Sequence, residues 1–266
     1  MLYLSFGLEI LLMIGVPVAL WFLARRWFGI SWSLIGAGVI TFIASRVVHL
    51  PLNSALGLVG GDRGVALWPL PAMAAVAGLS AGVVEEVARY LALRFWRREA
   101  RSWGEGIAFG AGHGGVEAVT LGVLVAVNLV YVVALQGSDA QTLGLSPEQF
   151  EQFQADIAAF MSTPWYLPLL GGLERVFALV MHIAWTLLVV QALTRHNLLW
   201  LAAAVLGHAA VDGLAVGLAQ AGWSLVAVEG LLFFFALGAG AVIYILRPGP
   251  EEGEAEDLEP GLMIEP

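Results

Sequence analysis

Seven apolar runs dominate this 266-residue chain. Each reaches the roughly 20 residues that a helix needs to cross the hydrocarbon of a bilayer. A segment of that length in lipid has to satisfy its own backbone polar groups, and helices do so within one segment. The runs fall at about 3–24, 30–50, 69–93, 106–135, 166–193, 198–220 and 223–246. The expected fold class is therefore all-α, a polytopic membrane helical bundle of about seven transmembrane helices. With 59% hydrophobic and only 12% charged residues and a mean hydropathy of +0.84, charge is too sparse to cover a soluble globule. The first run lacks a basic start and exceeds the ~7–15 residues of a signal-peptide core, so it is read as a true span.

All twelve basic residues are arginine, and there is no lysine and no cysteine. The missing lysine excludes a retinal Schiff base, the first association of a seven-helix bundle. The missing cysteine excludes disulfides, thiolate metal ligands and a cysteine nucleophile. Alternating spans put Arg25, Arg26, Arg94, Arg97, Arg98, Arg101, Arg195 and Arg247 on one side and only Arg63 on the other. The positive-inside rule then predicts an outer N-terminus and an inner C-terminus, in a multi-pass protein of the inner (plasma) membrane with lipid as its main partner. Seven acidic residues after Arg247 account for most of the net charge of −9, so 248–266 reads as an acidic, disordered cytoplasmic tail after a transmembrane domain spanning 1–247. Nothing suggests nucleic acid. In the long outer loop, Ser146-Pro147-Glu148-Gln149 resembles a capping box with proline in the first turn, and Phe150, Phe153, Ile157, Phe160 and Met161 follow at helical spacing. An amphipathic outer helix is predicted at about 146–162, lying on the interface as an anchor or as a cap over the bundle.

Four spans carry ionisable groups near mid-depth: Glu85, Glu86 and Arg89; His113 and Glu117; Glu174, Arg175 and His182; His208 and Asp212. Such groups cost roughly 2.5–3.5 kcal/mol each at the bilayer centre even on lenient scales, so they face a protein interior and serve a function. At 1.5 Å per residue, Glu85 and Glu86 lie roughly 12–14 Å in from Arg94, His113 about 12–13 Å in from Gly104, and His208 about 16 Å from Asn197. His182 lies about 20 Å from Arg195 on the same measure, so all four spans agree on one level. Glu85/Arg89, His113/Glu117 and His208/Asp212 are i,i+4 pairs, each on one helix face. Two adjacent carboxylates in a site of low dielectric do not ionise alike, which suits one as a base and the other as an orienting group.

Simpler explanations exist for single elements. Glu86 with Arg89 alone is equally a structural ion pair, and His182 alone is more often a hydrogen-bonded core histidine than a ligand. Glu174-Arg175 is read as a structural or substrate-gate pair. For the isolated Glu9, Arg46, His49 and Glu229, packing or snorkelling is the default. Gly78-Leu-Ser80-Ala-Gly82 matches the hydrolase nucleophile pattern letter for letter, but it lies mid-helix where that motif needs a strand-turn-helix elbow, so it is read as packing. There is no His-Glu-x-x-His.

Together, Glu85-Glu86-x-x-Arg89-Tyr90, Phe109-Gly-Ala-Gly-His113-Gly-Gly-Val-Glu117, Glu174-Arg175 followed by His182, and His208-Ala-Ala-Val-Asp212 resemble the YhfC-type intramembrane peptidases, distant relatives of the CAAX protease and bacteriocin-processing family. The resemblance spans about 70–215, the motif core. It implies a CAAX-protease-like core and hydrolysis of a peptide bond in or near the membrane, with a transmembrane or membrane-associated peptide as substrate. By matching position, Glu85 or Glu86 would be the base, with Arg89 and Glu117 as further members of the site. His113 and His208 would hold the water or oxyanion, and Asp212 would orient His208. The metalloprotease label of the YhfC branch adds zinc as a cofactor on His113, His182 and His208 as one alternative, with a metal-free mechanism on the same groups as the other. The arginine stands at 89, one place earlier than in the wider family, which agrees with the YhfC branch. Two other classes compete: a transporter or proton relay, since Glu, Asp and His chains in membranes also carry protons, and a non-catalytic scaffold or immunity protein on the same fold.

Overall fold

The computed structural model describes residues 1–249 of the chain. The predicted acidic tail lies, from residue 250 onward, outside the described residues. Seven helices are long and apolar enough to span a membrane: α1 (Leu2–Phe28), α2 (Trp32–Leu56), α3 (Leu70–Trp96), α4 (Trp103–Leu135), α6 (Tyr166–Thr194), α7 (Leu199–Gln220) and α8 (Leu225–Ile245). A shorter helix, α5 (Pro147–Met161), stands between α4 and α6. Among the described residues there is no strand. The chain is thus an all-α, multi-pass membrane protein.

Local chemistry sets the ends. Gly29 and Gly57 end α1 and α2 in the left-handed conformation, with φ of 63° and 75°. Helix α4 starts three residues before the predicted 106, because Ser102 and Glu105 form a reciprocal capping box there. Helix α2 runs past the predicted end at 50, carrying Pro51 within it, since a proline removes one hydrogen bond without stopping a packed helix. In α1, Pro17 has no N–H to offer Met13, and the turns just before it, Leu11–Gly15, widen into a π-bulge.

Glycines let the helices close on the centre. A β-carbon on Gly78 of α3 would stand 2.1 Å from the Ala209 carbonyl oxygen of α7, and one on Gly112 of α4 would stand 2.1 Å from the Ile35 carbonyl oxygen of α2. The Gly78-to-Gly82 segment is therefore a packing stripe within a helix. At one end of the bundle, Phe28 meets Trp103 edge-on, Trp103 Nε1 donates to the Ile243 carbonyl at 3.0 Å, and Arg97 donates to Ser33. That end gathers the close of α1, α3 and α8 with the start of α2 and α4. At the opposite end, Phe160 of α5 stacks on Phe6 of α1 at 4.7 Å, and Phe153 meets Tyr131 of α4. The sequence places α5 almost to the residue, and its capping box of Ser146 and Gln149 with Pro147 in the first turn is present. It rests on the helix ends and buries none of its own residues.

Candidate functional site

Helix α3 is the hub of a buried polar centre. It carries Glu85, Glu86 and Arg89, all nearly or wholly buried, on the face turned to α2, α4, α6 and α7. From α4, His113 is fully buried and its Nε2 lies 3.2 Å from Glu85 Oε2. From α7, His208 Nδ1 lies 2.8 Å from Glu86 Oε1, while its Nε2 is 3.5 Å from Asp212 Oδ2 one turn further along. From α6, His182 holds both sides of the centre. Its Nε2 lies 2.8 Å from Glu117 Oε2 of α4, and its Nδ1 lies 2.5 Å from Arg89 Nη2. Arg175, two turns outward, donates to Glu117 Oε1 at 3.1 Å and pairs with Glu174. All the residues that the sequence nominates, Glu85, Glu86, Arg89, His113, Glu117, His182, His208 and Asp212, thus lie in one network.

The expected i,i+4 pair of Glu85 and Arg89 is present at 3.6 Å, beside a closer contact of Arg89 with Glu86 at i,i+3. Two residues of the centre were not expected there. Arg46, treated from the sequence as an isolated residue, reaches from α2 and pairs with Glu85. Its one available signal was its depth, mid-span on a helix with no other strong charge. Trp185, not singled out at all, stacks on His208 at 4.1 Å with the planes 9° apart and meets His182 edge-on at 5.2 Å. It lies at i+3 from His182, on the same helix face. Glu9 and Glu229 are buried apart from the centre.

A cavity of about 170 Å³ opens beside this network. Arg46, Glu85, Glu117, His182, His208 and Asp212 line it, whereas Glu86, Arg89 and His113 stand behind that lining. Counting the charged groups, five carboxylates (Glu85, Glu86, Glu117, Glu174, Asp212) meet three guanidinium groups (Arg46, Arg89, Arg175). Carboxylates thus outnumber guanidinium groups by two where charge is poorly solvated, which favours bound protons or cations.

One donor set is close enough to share a metal ion. Glu85, His113 and His182 each offer a ligand atom, and these atoms lie within 4.8 Å of one another. One carboxylate with two imidazoles is a set found in catalytic zinc sites. Glu117 on His182 Nε2 supplies the carboxylate support that orients a ligating imidazole. The residues fit a divalent ion, with Glu85 in the place that the three-histidine expectation gave to His208. His208 is spoken for by Glu86 and Asp212. Arg89 stands at His182 Nδ1 and near Glu85, so it and a metal draw on the same donors.

The fold and centre define a multi-pass membrane protein with a buried carboxylate and histidine group able to hold a metal. Residues 9–232 match the YhfC intramembrane metalloprotease family, and the chain belongs to that family. The matched stretch contains every residue of the centre. The chain is similar to the uncharacterized membrane protein YhfC of Bacillus subtilis (strain 168), with 31% identity over 214 residues, 78% of this chain and 80% of the relative. No solved structure matches the chain.

Proposed function

We propose that this protein is an intramembrane endopeptidase of the metallo type, hydrolysing a peptide bond in or beside the membrane at the Glu85, His113 and His182 centre. The observation that carries the reading is the convergence of these donors from three helices beside a polar cavity sunk in the bundle. When bound there, a divalent ion such as zinc supplies Lewis-acid activation of water and of the substrate carbonyl.

The roles of the chain's own groups follow from which of them face the cavity. Glu85 sits in the donor set and Glu86 behind the lining, which leaves Glu117 and Asp212 as the carboxylates that line the cavity beside the histidines. We assign proton transfer to Glu117, which lines the cavity beside His182 and outside the donor set. It takes a proton from the attacking water as the new C–O bond forms and returns it to the departing amine as the C–N bond breaks. His208, fixed by Glu86 at Nδ1 and by the Trp185 ring, turns its Nε2–H from the 3.5 Å contact with Asp212 toward the carbonyl oxygen as that oxygen gains charge. Glu86 and Arg89 are positioning residues.

Clustering of Arg25, Arg26, Arg94, Arg97, Arg98, Arg101, Arg195 and Arg247 at one end supports an inner C-terminus, with α5 outside. The decisive experiment incubates the purified protein, zinc-loaded or chelated, with a panel of transmembrane peptides and reads cleavage by mass spectrometry. Cleavage that requires zinc and vanishes in Glu117→Gln is expected. A protein that keeps no zinc and cuts nothing overturns the proposal.

A further inference from the structure

Helices α2 and α3 share a second buried polar group outside the centre. His49 Nε2 lies 3.1 Å from Ser80 Oγ, and the Ser80 hydroxyl, with one proton to give, has the Ala77 carbonyl oxygen at 2.8 Å and Asn53 Oδ1 at 2.9 Å as acceptors. His49 and Ser80 are more than nine-tenths buried, Asn53 is half-buried, and Ser54 beside it is exposed. Polarity therefore runs inward from the surface along one seam. With the Ser80 proton on either of these oxygens, His49 keeps its own on Nε2 and offers Nδ1 as an acceptor. His49 Nδ1 has no partner within the protein, and neither does Arg46 Nε, a donor one turn away on the same helix. A water molecule between adjacent turns meets both needs, accepting from Arg46 and donating to His49. Left dry, each group would carry its full desolvation penalty.

We propose that the α2–α3 seam is a water-binding file, entered near Asn53, passing Ser80 and His49 and delivering water at Arg46 to the Glu85 centre. This rests on the hydrolase reading, since each peptide bond cut consumes one water and the bilayer core holds none. Arg46 joins the two parts: it pairs with Glu85 and lines the cavity, while its Nε belongs to the file. His49 is accordingly a positioning residue for water.

The chain has no cysteine, so single-cysteine variants report directly. Ser80→Cys, His49→Cys and Asn53→Cys are prepared in vesicles, with Val47→Cys and Leu79→Cys as exposed apolar controls. Silver ion, a thiol-binding cation small enough to follow water, is added, and the thiols left are counted by mass spectrometry after denaturation. Ser80→Cys is expected to react nearly as fast as Asn53→Cys and far faster than the controls. Reaction as slow as at Val47 and Leu79 overturns the proposal, and His49→Cys serves as the reporter if Ser80→Cys does not fold. In an active preparation, His49→Leu lowers kcat about tenfold at unchanged KM, and His49→Gln, which keeps a donor and an acceptor, restores it. Unchanged kcat in His49→Leu refutes the supply role. Silver labelling needs no turnover: a labelled seam in a protein that cuts no peptide removes the hydrolase reading alone, and an unlabelled seam in an active enzyme removes the file alone.

Discussion

Arg89 offers the sharpest test of how the centre is held together. Its side chain and that of Glu86 are wholly buried and in direct contact, and Arg89 also meets His182 Nδ1 at 2.5 Å and Glu85 Oε2 at 3.6 Å. Removing one partner of a buried pair leaves an uncompensated charge and costs about 3–5 kcal/mol. Arg89→Met should lie at the upper end of that range, because it removes one of only three guanidinium groups that face five carboxylates. Glu86→Gln should cost less, about 1–3 kcal/mol, since Arg89 keeps Glu85 nearby and the amide can still accept a hydrogen bond. Combining the two removes both charges, so the double variant should recover about 1–3 kcal/mol relative to the sum of the single losses. Unfolding in mixed micelles titrated with sodium dodecyl sulfate, followed by tryptophan fluorescence, gives the four stabilities of the cycle. Additivity within about 0.5 kcal/mol would refute the pairing.

Further outcomes separate the roles within the centre. Glu117→Gln should weaken zinc binding by about 10–100-fold, because it also supports His182, and at saturating zinc should still lose about 10²–10⁴ in kcat, the usual worth of a positioned acid or base. Glu85→Gln, His113→Ala and His182→Ala should each weaken zinc binding, read by elemental analysis, by more than the roughly 10–100-fold that loss of a supporting hydrogen bond costs. His208→Ala should leave zinc content unchanged while lowering kcat, and zinc loss there would restore the three-histidine set. Gly112→Val would drive its β-carbon to 2.1 Å from the Ile35 carbonyl oxygen, and a backbone neighbour cannot swing away, so a loss beyond about 3 kcal/mol and a fall in folded yield are expected. Outside the spans, Asp139 accepts the Thr142 N–H at 2.7 Å, which holds its carboxyl below the ordinary carboxylate range. The support that this cap gives its turn is full above that range and disappears as pH falls through the depressed value, which NMR titration of Asp139 would follow.

The spans were legible because lipid leaves a helix no alternative to about 20 apolar residues, and a run of that length is visible without any partner. Their ends were less so: Ser102 and Glu105 cap α4 in a pattern that the sequence carries, yet the apolar run that marks the span begins later. Depth brought Glu85, His113, His182 and His208 to one level before any coordinates, because rise per residue converts position into distance. Rotation about each helix axis is not given by depth, and the grouping of Glu85 with His113 and His182 turned on it. Which carboxylate faces His113 and His182 depends on how α3 rolls against α4 and α6, and that roll is fixed from the other side by the close crossing of Gly78 and Gly82 on α7. Arg46 was missed for a related reason. Alone on its helix it resembles a snorkelling arginine, and only the approach of α2 to α3 turns it toward Glu85.

The web of contacts bears on whether such a centre moves ions or cuts bonds. Alternating access requires one group of helices to rock against another around a fixed site. Here α3 is tied to α2 through Arg46 and Glu85, to α4 through His113 and Glu85, to α6 through Arg89 and His182, and to α7 through Glu86 and His208. Helices α4 and α6 are tied to each other through Glu117, by His182 and Arg175. No division of these five helices into two rigid groups avoids breaking at least one charged contact, and the closest glycine crossings, Gly78 on α7 and Gly112 on α2, add backbone against backbone. Each charge-assisted bond is worth about 1.5–3 kcal/mol net, more if a buried charge is left alone, so rocking would cost at least one such term, and two or more wherever α4 or α6 parts from α3. A hydrolytic centre makes the opposite demand: its donors have to stay within a fraction of an ångström of one geometry while substrate enters. The cross-bracing of the centre is an expense for a carrier and a requirement for an enzyme, and this favours the peptidase reading over the transporter.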